Sequence, residues 1–162
     1  MRWQVPDLSS PGSAITDTAR TPSLPLLIQL TGVALAAKTI VRAGLPRLQR
    51  WMEPASPGHS RPLVASADID EVTAQLGRWV DSIMRRGGPV IRPGCQTRGV
   101  TLYYAMRRQG LDVALCFGVG TVGGAVEGHC WIDLDGEPLL EPFDPRTAFT
   151  EVVRVTRDGV IS

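Results

Sequence analysis

Apolar side chains recur at helical spacing in three stretches of the chain. The first, residues 24–51, is apolar over most of its surface and carries basic side chains toward its C-terminal end. The second begins at Asp68, a candidate N-cap with Glu71 three residues later, and ends at the Gly-Gly-Pro of residues 87–89. The third covers about residues 95–109. This spacing predicts three helices.

Apolar and polar positions alternate in the last third of the chain, which predicts strands. The predicted strands cover residues 111–119, 129–134, 138–141 and 150–156. A glycine-rich loop is predicted at residues 120–128, and the dipeptide Asp135-Gly136 is a strong signal for a hairpin. Helices followed by antiparallel strands predict an α+β fold.

Two stretches without apolar periodicity divide the chain. Residues 1–23 are rich in Pro, Ser, Thr and Asp, and we predict a flexible segment because they bury too little apolar surface to order themselves. Residues 52–64 contain three prolines and are predicted to be a linker. The apolar helix at 24–51 lies between these stretches, and residues 65–162 form the predicted main domain.

Charge and hydropathy narrow the classes of function and the compartment. The chain has 17 Lys and Arg against 16 Asp and Glu, a net charge of +1, whereas nucleic-acid binding needs a basic surplus. No signal peptide is recognisable, and the most apolar run, residues 24–37, is shorter than the ~20 residues of a membrane span. A cytoplasmic protein is therefore predicted. The helix at 24–51 either packs on the main domain or docks on a partner or a membrane surface.

Cys95 stands where a loop enters the third predicted helix. Backbone N–H groups and the helix dipole at such a position favour a thiolate and can stabilise an oxyanion. A thiolate nucleophile needs a base, usually a histidine, and the chain has two. His59 lies in the linker and is predicted to be solvated surface, whereas His129 begins a strand. Cys95 and His129 are thus the candidate nucleophile and base, and the alternative is that both are structural.

The other two cysteines are predicted to be packing residues. Cys116 alternates with apolar neighbours in a strand, and Cys130 points to the sheet face opposite His129. Three cysteines without a signal peptide do not suggest a disulfide scaffold, and their spacing lacks the close pair of a zinc site. We therefore expect no metal ion and no cofactor.

Residues 95–119 and 128–141 resemble the core of transglutaminase-like cysteine proteases. More closely, they are similar to the stand-alone leader peptidases of lasso-peptide biosynthesis, and the resemblance covers about residues 65–156. It implies a papain-like core with N-terminal helices packed on a small antiparallel sheet, and a triad in which Cys95 is the nucleophile and His129 the base. It also implies cleavage of a leader from a ribosomally made precursor. The implied partners are the leader peptide, a small leader-binding protein and the ATP-using cyclase.

The third member of the triad has two candidates, Glu141 and Asp144. The resemblance implies an acidic residue on the strand after the Asp-Gly turn, the place that Glu141 holds, although many relatives use Asp. A two-residue turn would put Asp144 on the face of His129, whereas a three-residue loop would put Glu141 there. Pro138 cannot donate a ladder hydrogen bond, which favours the longer loop. We predict Glu141 in preference to Asp144.

The sequence allows two roles for Trp131 and two functions other than proteolysis. Trp131 either walls the site and contacts substrate or packs in the core. A transglutaminase-type amide transferase would use the same thioester with an amine in place of water. A binding module would retain the fold without the chemistry.

Overall fold

The computed structural model describes residues 24–44, 68–88, 90–91 and 93–162, and three helices lie within them. Helix α1 spans Leu24–Ala43, α2 spans Ile69–Arg86 and α3 spans Cys95–Arg108. The carboxylate of Asp68 accepts the N–H groups of Asp70 and Glu71, so it caps α2 as predicted. The predicted flexible segment, the linker and the end of the first predicted helix lie outside the described residues.

The described strands form one antiparallel sheet with the order β3-β2-β1-β4-β5. They are β1 (Val113–Val122), β2 (Ala125–Leu134), β3 (Glu137–Leu139), β4 (Thr150–Val155) and β5 (Val160–Ile161). A 3₁₀ turn, Pro145–Thr147, separates β3 from β4. Helices packed on an antiparallel sheet confirm the predicted α+β fold.

Helix α3 is the centre of the main core. Helices α1 and α2 cover one side of it, and strands β1 and β2 cover the other. Every residue from Gly99 to Met106 is buried except Tyr104, which is half-buried. The neighbours of α3 contribute fully buried apolar side chains: Leu30, Ala37, Leu76, Val80, Leu115 and Ile132. A helix surrounded by apolar neighbours has little freedom to shift, so its first residue is held in place.

Helix α1 is apolar on its exposed side as well as on its buried side. The stretch Leu24–Arg42 has a mean hydropathy of 1.7 and is long and apolar enough to cross a membrane by length and composition. The predicted run of 24–37 is too short because it stops at Lys38, whereas the helix continues with the apolar Ile40 and Val41. A buried core helix passes the same test of length and composition, so the prediction that no segment spans a membrane stays a prediction. One face of α1 is buried against the core, while the other exposes Leu24, Ile28 and Leu35.

The predicted glycine-rich loop at 120–128 is wrong. Strands β1 and β2 continue through it and meet at a two-residue turn, in which Val122 pairs with Ala125. Gly123 and Gly124 have φ of 59° and 82°, the left-handed values that a tight hairpin turn requires. This tip of the hairpin lies in solvent, so its residues need no apolar alternation.

The turn between β2 and β3 also has two residues, since Leu134 pairs with Glu137. Asp135 and Gly136 have φ of 53° and 88°, and the Gly136 N–H donates to Asp133 Oδ1 at 3.0 Å. The preference for a three-residue loop is therefore wrong. Pro138 fits the shorter turn because β3 is an edge strand, where a missing N–H leaves no ladder bond unmade.

Helix α3 and the sheet approach each other closely at Gly99. A Cβ at this position would lie 2.6 Å from Cys130 Sγ and 3.2 Å from Leu115 Cδ1. The absence of a side chain lets α3 rest directly on β2. Cys95 lies one helical turn before Gly99, so this contact also sets the distance between Cys95 and the sheet.

We predict that Gly99→Ala destabilises the protein by about 1–3 kcal/mol, because the new methyl group overlaps a buried sulfur. Urea denaturation measures the change. Adding Cys130→Ala should recover much of the loss, since the remaining Cys130 Cβ would lie 3.8 Å away.

The matched control is Gly32→Ala in α1, where nothing lies within 4 Å of the added Cβ. There the gain in helix propensity should stabilise the protein by about 0.5–1 kcal/mol. If Gly99→Ala behaved like the control, the close approach would not constrain the fold.

Candidate active site

Cys95 is the first residue of α3 and is half-buried. The preceding Gly94 is the N-cap, with an extended backbone and no side chain to cap the helix, and the Arg98 N–H donates to the Gly94 carbonyl at 3.0 Å. The first turn therefore has no capping side chain. The backbone N–H groups of this turn and the positive end of the helix dipole lie at the residue that carries the sulfur, and such groups can stabilise an oxyanion.

His129 lies on β2, opposite Gly118 of β1. Its ring stacks on Phe149 at 5.1 Å and on Trp131 at 6.1 Å between centroids, and its side chain is 11% exposed. A Cβ on Gly118 would lie 2.9 Å from the Trp131 ring, so the glycine lets the indole lie flat on the strand. Two aromatic rings thus hold the imidazole in one orientation.

Glu141 reaches His129 through a break in the strand. Strand β3 ends at Leu139, and Leu140 has a left-handed φ of 58°, which costs a non-glycine residue about 1–2 kcal/mol. The Leu140 side chain packs against Gly77 of α2, where a Cβ would lie 2.8 Å from Leu140 Cδ1. After this change of direction, Glu141 Oε2 lies 3.0 Å from His129 Nε2. The Glu141 side chain is 3% exposed.

The structure places Asp144 elsewhere. Its carboxylate caps the 3₁₀ turn by accepting the Arg146 N–H, forms an ion pair with the Arg146 guanidinium, and is 41% exposed. Hydrogen bonds from Arg146 lower the pKa of Asp144. Strand β3 ends at Leu139, so the alternation that would place Asp144 on the face of His129 does not continue beyond that residue. Glu141 therefore contacts His129 although the turn has only two residues.

Cys95, His129 and Glu141 form one connected set. Burial lowers the pKa of the His129 imidazole, but hydrogen bonds to Cys95 and Glu141, together with their charges, outweigh burial and raise it to about 9. Nε2 faces Glu141, so Nδ1 is the ring nitrogen left for Cys95. A thiol, an imidazole and a carboxylate in this order can carry out nucleophilic acyl chemistry. No group of three possible metal ligands occurs among the residues that the structure describes.

The other two cysteines are buried in the sheet. Burial raises the pKa of Cys116 and of Cys130, which makes both thiols poor nucleophiles. Trp131 is 1% exposed and packs with Cys116 and Phe149 beneath the His129 ring. It therefore has no surface with which to touch a substrate, and it excludes water from one side of the imidazole.

Sequence reasoning missed two residues that contact this set. Phe149 follows the 3₁₀ turn and stacks on His129 from a distant part of the chain, and no pattern in the sequence indicated it. Arg98 lies one helical turn after Cys95, and its side chain is 3.4 Å from Glu141 Oε1. Its spacing from Cys95 was a signal that could have been used, since residues three apart share one face of a helix.

A family model described as the transglutaminase-like superfamily matches residues 33–154 of the 162. This match includes the second half of α1, the other two helices and almost the whole sheet. No curated protein and no solved structure matches the chain.

We predict that iodoacetamide at neutral pH alkylates Cys95 in the folded protein and leaves Cys116 and Cys130 unmodified, because both of these are buried. Peptide mass spectrometry after brief labelling identifies the sites, and all three thiols should react in urea. Removing the imidazole by His129→Gln should slow the labelling of Cys95 by roughly tenfold or more, because the base that hydrogen-bonds the Cys95 thiol is lost.

The control variant is His59→Gln, which removes the other histidine and should leave the labelling rate unchanged. Equal labelling of the three thiols in the folded protein would contradict this description of the site.

Proposed function

This chain belongs to the transglutaminase-like superfamily, and on that premise we propose that it is a cysteine endopeptidase that removes the leader from a lasso-peptide precursor. The observation that carries the proposal is the set Cys95, His129 and Glu141, with a half-buried sulfur at a helix N-terminus beside an imidazole of raised pKa. The superfamily match supports cysteine-based acyl chemistry. The similarity of residues 95–119 and 128–141 to leader peptidases supports the choice of substrate.

The arrangement assigns a step to each residue. The Cys95 thiolate attacks the scissile carbonyl carbon, and the N–H groups of the first turn of α3 receive the developing oxyanion. The His129 imidazolium gives its proton to the leaving amine as the C–N bond breaks, which leaves a thioester on Cys95. His129 then takes a proton from water as the hydroxide attacks the thioester carbon, and the C–S bond breaks. This step releases the new carboxylic acid and restores the Cys95 thiolate beside the His129 imidazolium. Glu141 holds the ring and balances its charge throughout.

A peptidase of this size is expected to depend on partners. We therefore propose that a small leader-binding protein presents the precursor in the cytoplasm, and that the ATP-using cyclase acts on the product. The proposed partners include no nucleic acid, in line with the net charge of +1.

The outward face of α1 is the proposed docking element. Leu24, Ile28 and Leu35 are 68%, 63% and 49% exposed on one side of the helix, and the helix contains no acidic residue. Exposed aliphatic side chains grouped on one face are typical of an interaction surface. The leader-binding protein is the occupant that we favour. A peripheral contact with a membrane is the alternative, supported by the hydropathy of Leu24–Arg42.

A transglutaminase-type transferase is the second candidate, because the superfamily match supports it equally. It would form the same thioester on Cys95 and resolve it with an amine. A buried site beside two aromatic rings restricts access from the His129 side but does not choose between water and an amine. The mass of the product distinguishes hydrolysis from transfer to an amine. If the precursor gives no product, the protein is a binding module.

We predict that the wild-type protein, a leader-binding protein and a precursor give two fragments whose masses sum to the precursor plus one water. Cys95→Ala should give no fragments. Glu141→Gln keeps the shape of the side chain but removes its charge, and should lower kcat/KM by roughly 10²–10⁴-fold. Mass spectrometry and initial rates measure these outcomes.

Asp144→Asn is the matched control, because it removes the rival carboxylate and keeps a side chain that can cap the 3₁₀ turn. It should retain nearly wild-type activity. A large loss in Asp144→Asn with activity retained in Glu141→Gln would overturn the assignment of the acid, and an amine-linked product would favour the transferase.

We also predict that Leu24→Ser, Ile28→Ser and Leu35→Ser together weaken partner-dependent cleavage, seen as a rise in the concentration of leader-binding protein needed for half-maximal rate. Deleting α1 is a poorer test, because it would also remove Leu30 and Ala37 from the core. The rate of Cys95 alkylation should stay unchanged, since the substitutions lie on the surface.

Val126→Ser is the control for this variant, since Val126 is 82% exposed at the tip of the β1–β2 hairpin, away from α1. Unaltered cleavage in the triple variant would reject α1 as the docking element. If the triple variant cleaved normally but lost the binding to anionic vesicles that the wild type shows, α1 would be a membrane contact.

A further inference from the structure

Arg98 connects three parts of the structure at the active site. Its Nε donates to Asp81 Oδ1 of α2 at 2.9 Å. Its Nη2 donates to the Leu140 carbonyl at 3.1 Å, and its Nη1 lies 3.4 Å from Glu141 Oε1. The side chain is 13% exposed, so these contacts lie largely away from water. A planar guanidinium can serve three acceptors at once, which no other side chain can do in this geometry.

Two of the contacts of Arg98 are with Leu140 and Glu141, the residues of the turn that brings the Glu141 carboxylate to His129. Glu141 is placed by the left-handed turn at Leu140 and not by a strand, because the ladder of β3 ends at Leu139. Packing of the Leu140 side chain on Gly77 holds one side of this turn. The hydrogen bond from Arg98 to the Leu140 carbonyl holds the backbone itself, and the contact with Oε1 directs Oε2 toward His129.

We propose that Arg98 is a positioning residue, which holds the Glu141 carboxylate against His129 by clamping the turn at Leu140 to helices α2 and α3. The expected effect of Arg98 on cleavage rests on the proposed function, whereas its role in positioning Glu141 does not. In this scheme Arg98 acts through its contacts with Asp81, Leu140 and Glu141, and it has no assigned contact with the substrate or the reacting atoms.

The charges around His129 allow a decisive sign test. Two groups face the imidazole directly: Cys95 of α3 and Glu141 after β3. Arg98 forms an ion pair with the other oxygen of the Glu141 carboxylate, and Asp81 of α2 forms an ion pair with Arg98. If Arg98 acted only as a distant positive charge, its removal would favour the imidazolium and raise the pKa of His129. If it positions Glu141, its removal loosens the carboxylate, and the pKa of His129 falls.

The experiment is an NMR titration of the histidine ring signals in the full-length protein, with His59→Gln used to assign the two rings. In the wild type, His129 should titrate near pH 9. Arg98→Met should lower that pKa by about one unit or more toward the ordinary value. Arg98→Lys should give a smaller decrease, because an ammonium cannot reach all three acceptors together. With a cleavable precursor, Arg98→Met should lower kcat by roughly tenfold or more and leave KM nearly unchanged.

Arg107→Met is the matched control. Arg107 lies on the same helix, its side chain is 10% exposed, and it also forms an ion pair, with Asp112. It should leave the titration of His129 unchanged. A folded Arg98→Met protein in which the pKa of His129 is unchanged or raised would overturn the proposal. Should that variant not fold, Arg98→Lys decides, and a wild-type pKa there overturns it. Because the titration needs no substrate, a failure of leader cleavage in the wild type would count against the proposed function alone.

Discussion

The direct contact of α3 with β2 at Gly99 is the constraint on which the site depends. The Cys95 sulfur and the His129 imidazole belong to different elements, so the separation of helix and sheet determines whether they meet. With no side chain at Gly99, the helix rests on Cys130, and the packing of α3 between two helices and two strands prevents it from sliding. The geometry of the site is therefore a property of core packing, in which even one added methyl group is felt.

The second determinant is the removal of the His129–Glu141 pair from water. Glu141 is almost fully buried and His129 is covered by two aromatic rings, so their attraction is weakly screened. A buried carboxylate needs partners for both oxygens, and here His129 and Arg98 each contact one of them. Glu141 is thus part of a hydrogen-bonded network that connects α2, α3 and the turn after β3.

Much of the fold could be predicted from local signals in the sequence. The cap at Asp68, the third helix beginning at Cys95 and the hairpin at Asp135-Gly136 depend on residues near one another in the chain. The glycine-rich segment misled the prediction because composition alone does not distinguish a loop from a hairpin with a Gly-Gly turn. The approach of Glu141 could not be derived, because it depends on a leucine in a left-handed conformation, stabilised by Gly77 and Arg98 from distant positions.

The pairing of β1 with β2 has a consequence for the order of folding. The two strands join through two residues and pair along their whole length, so the loop that must close is as short as a hairpin allows. Contacts so local in sequence form early, whereas the docking of a helix against them needs longer-range encounters. We expect the imidazole to occupy its place in a nascent sheet before the sulfur arrives. Under the proposed function, an incompletely folded chain would then hold His129 in place without Cys95 beside it, and it would cleave no peptide until α3 packs on the sheet.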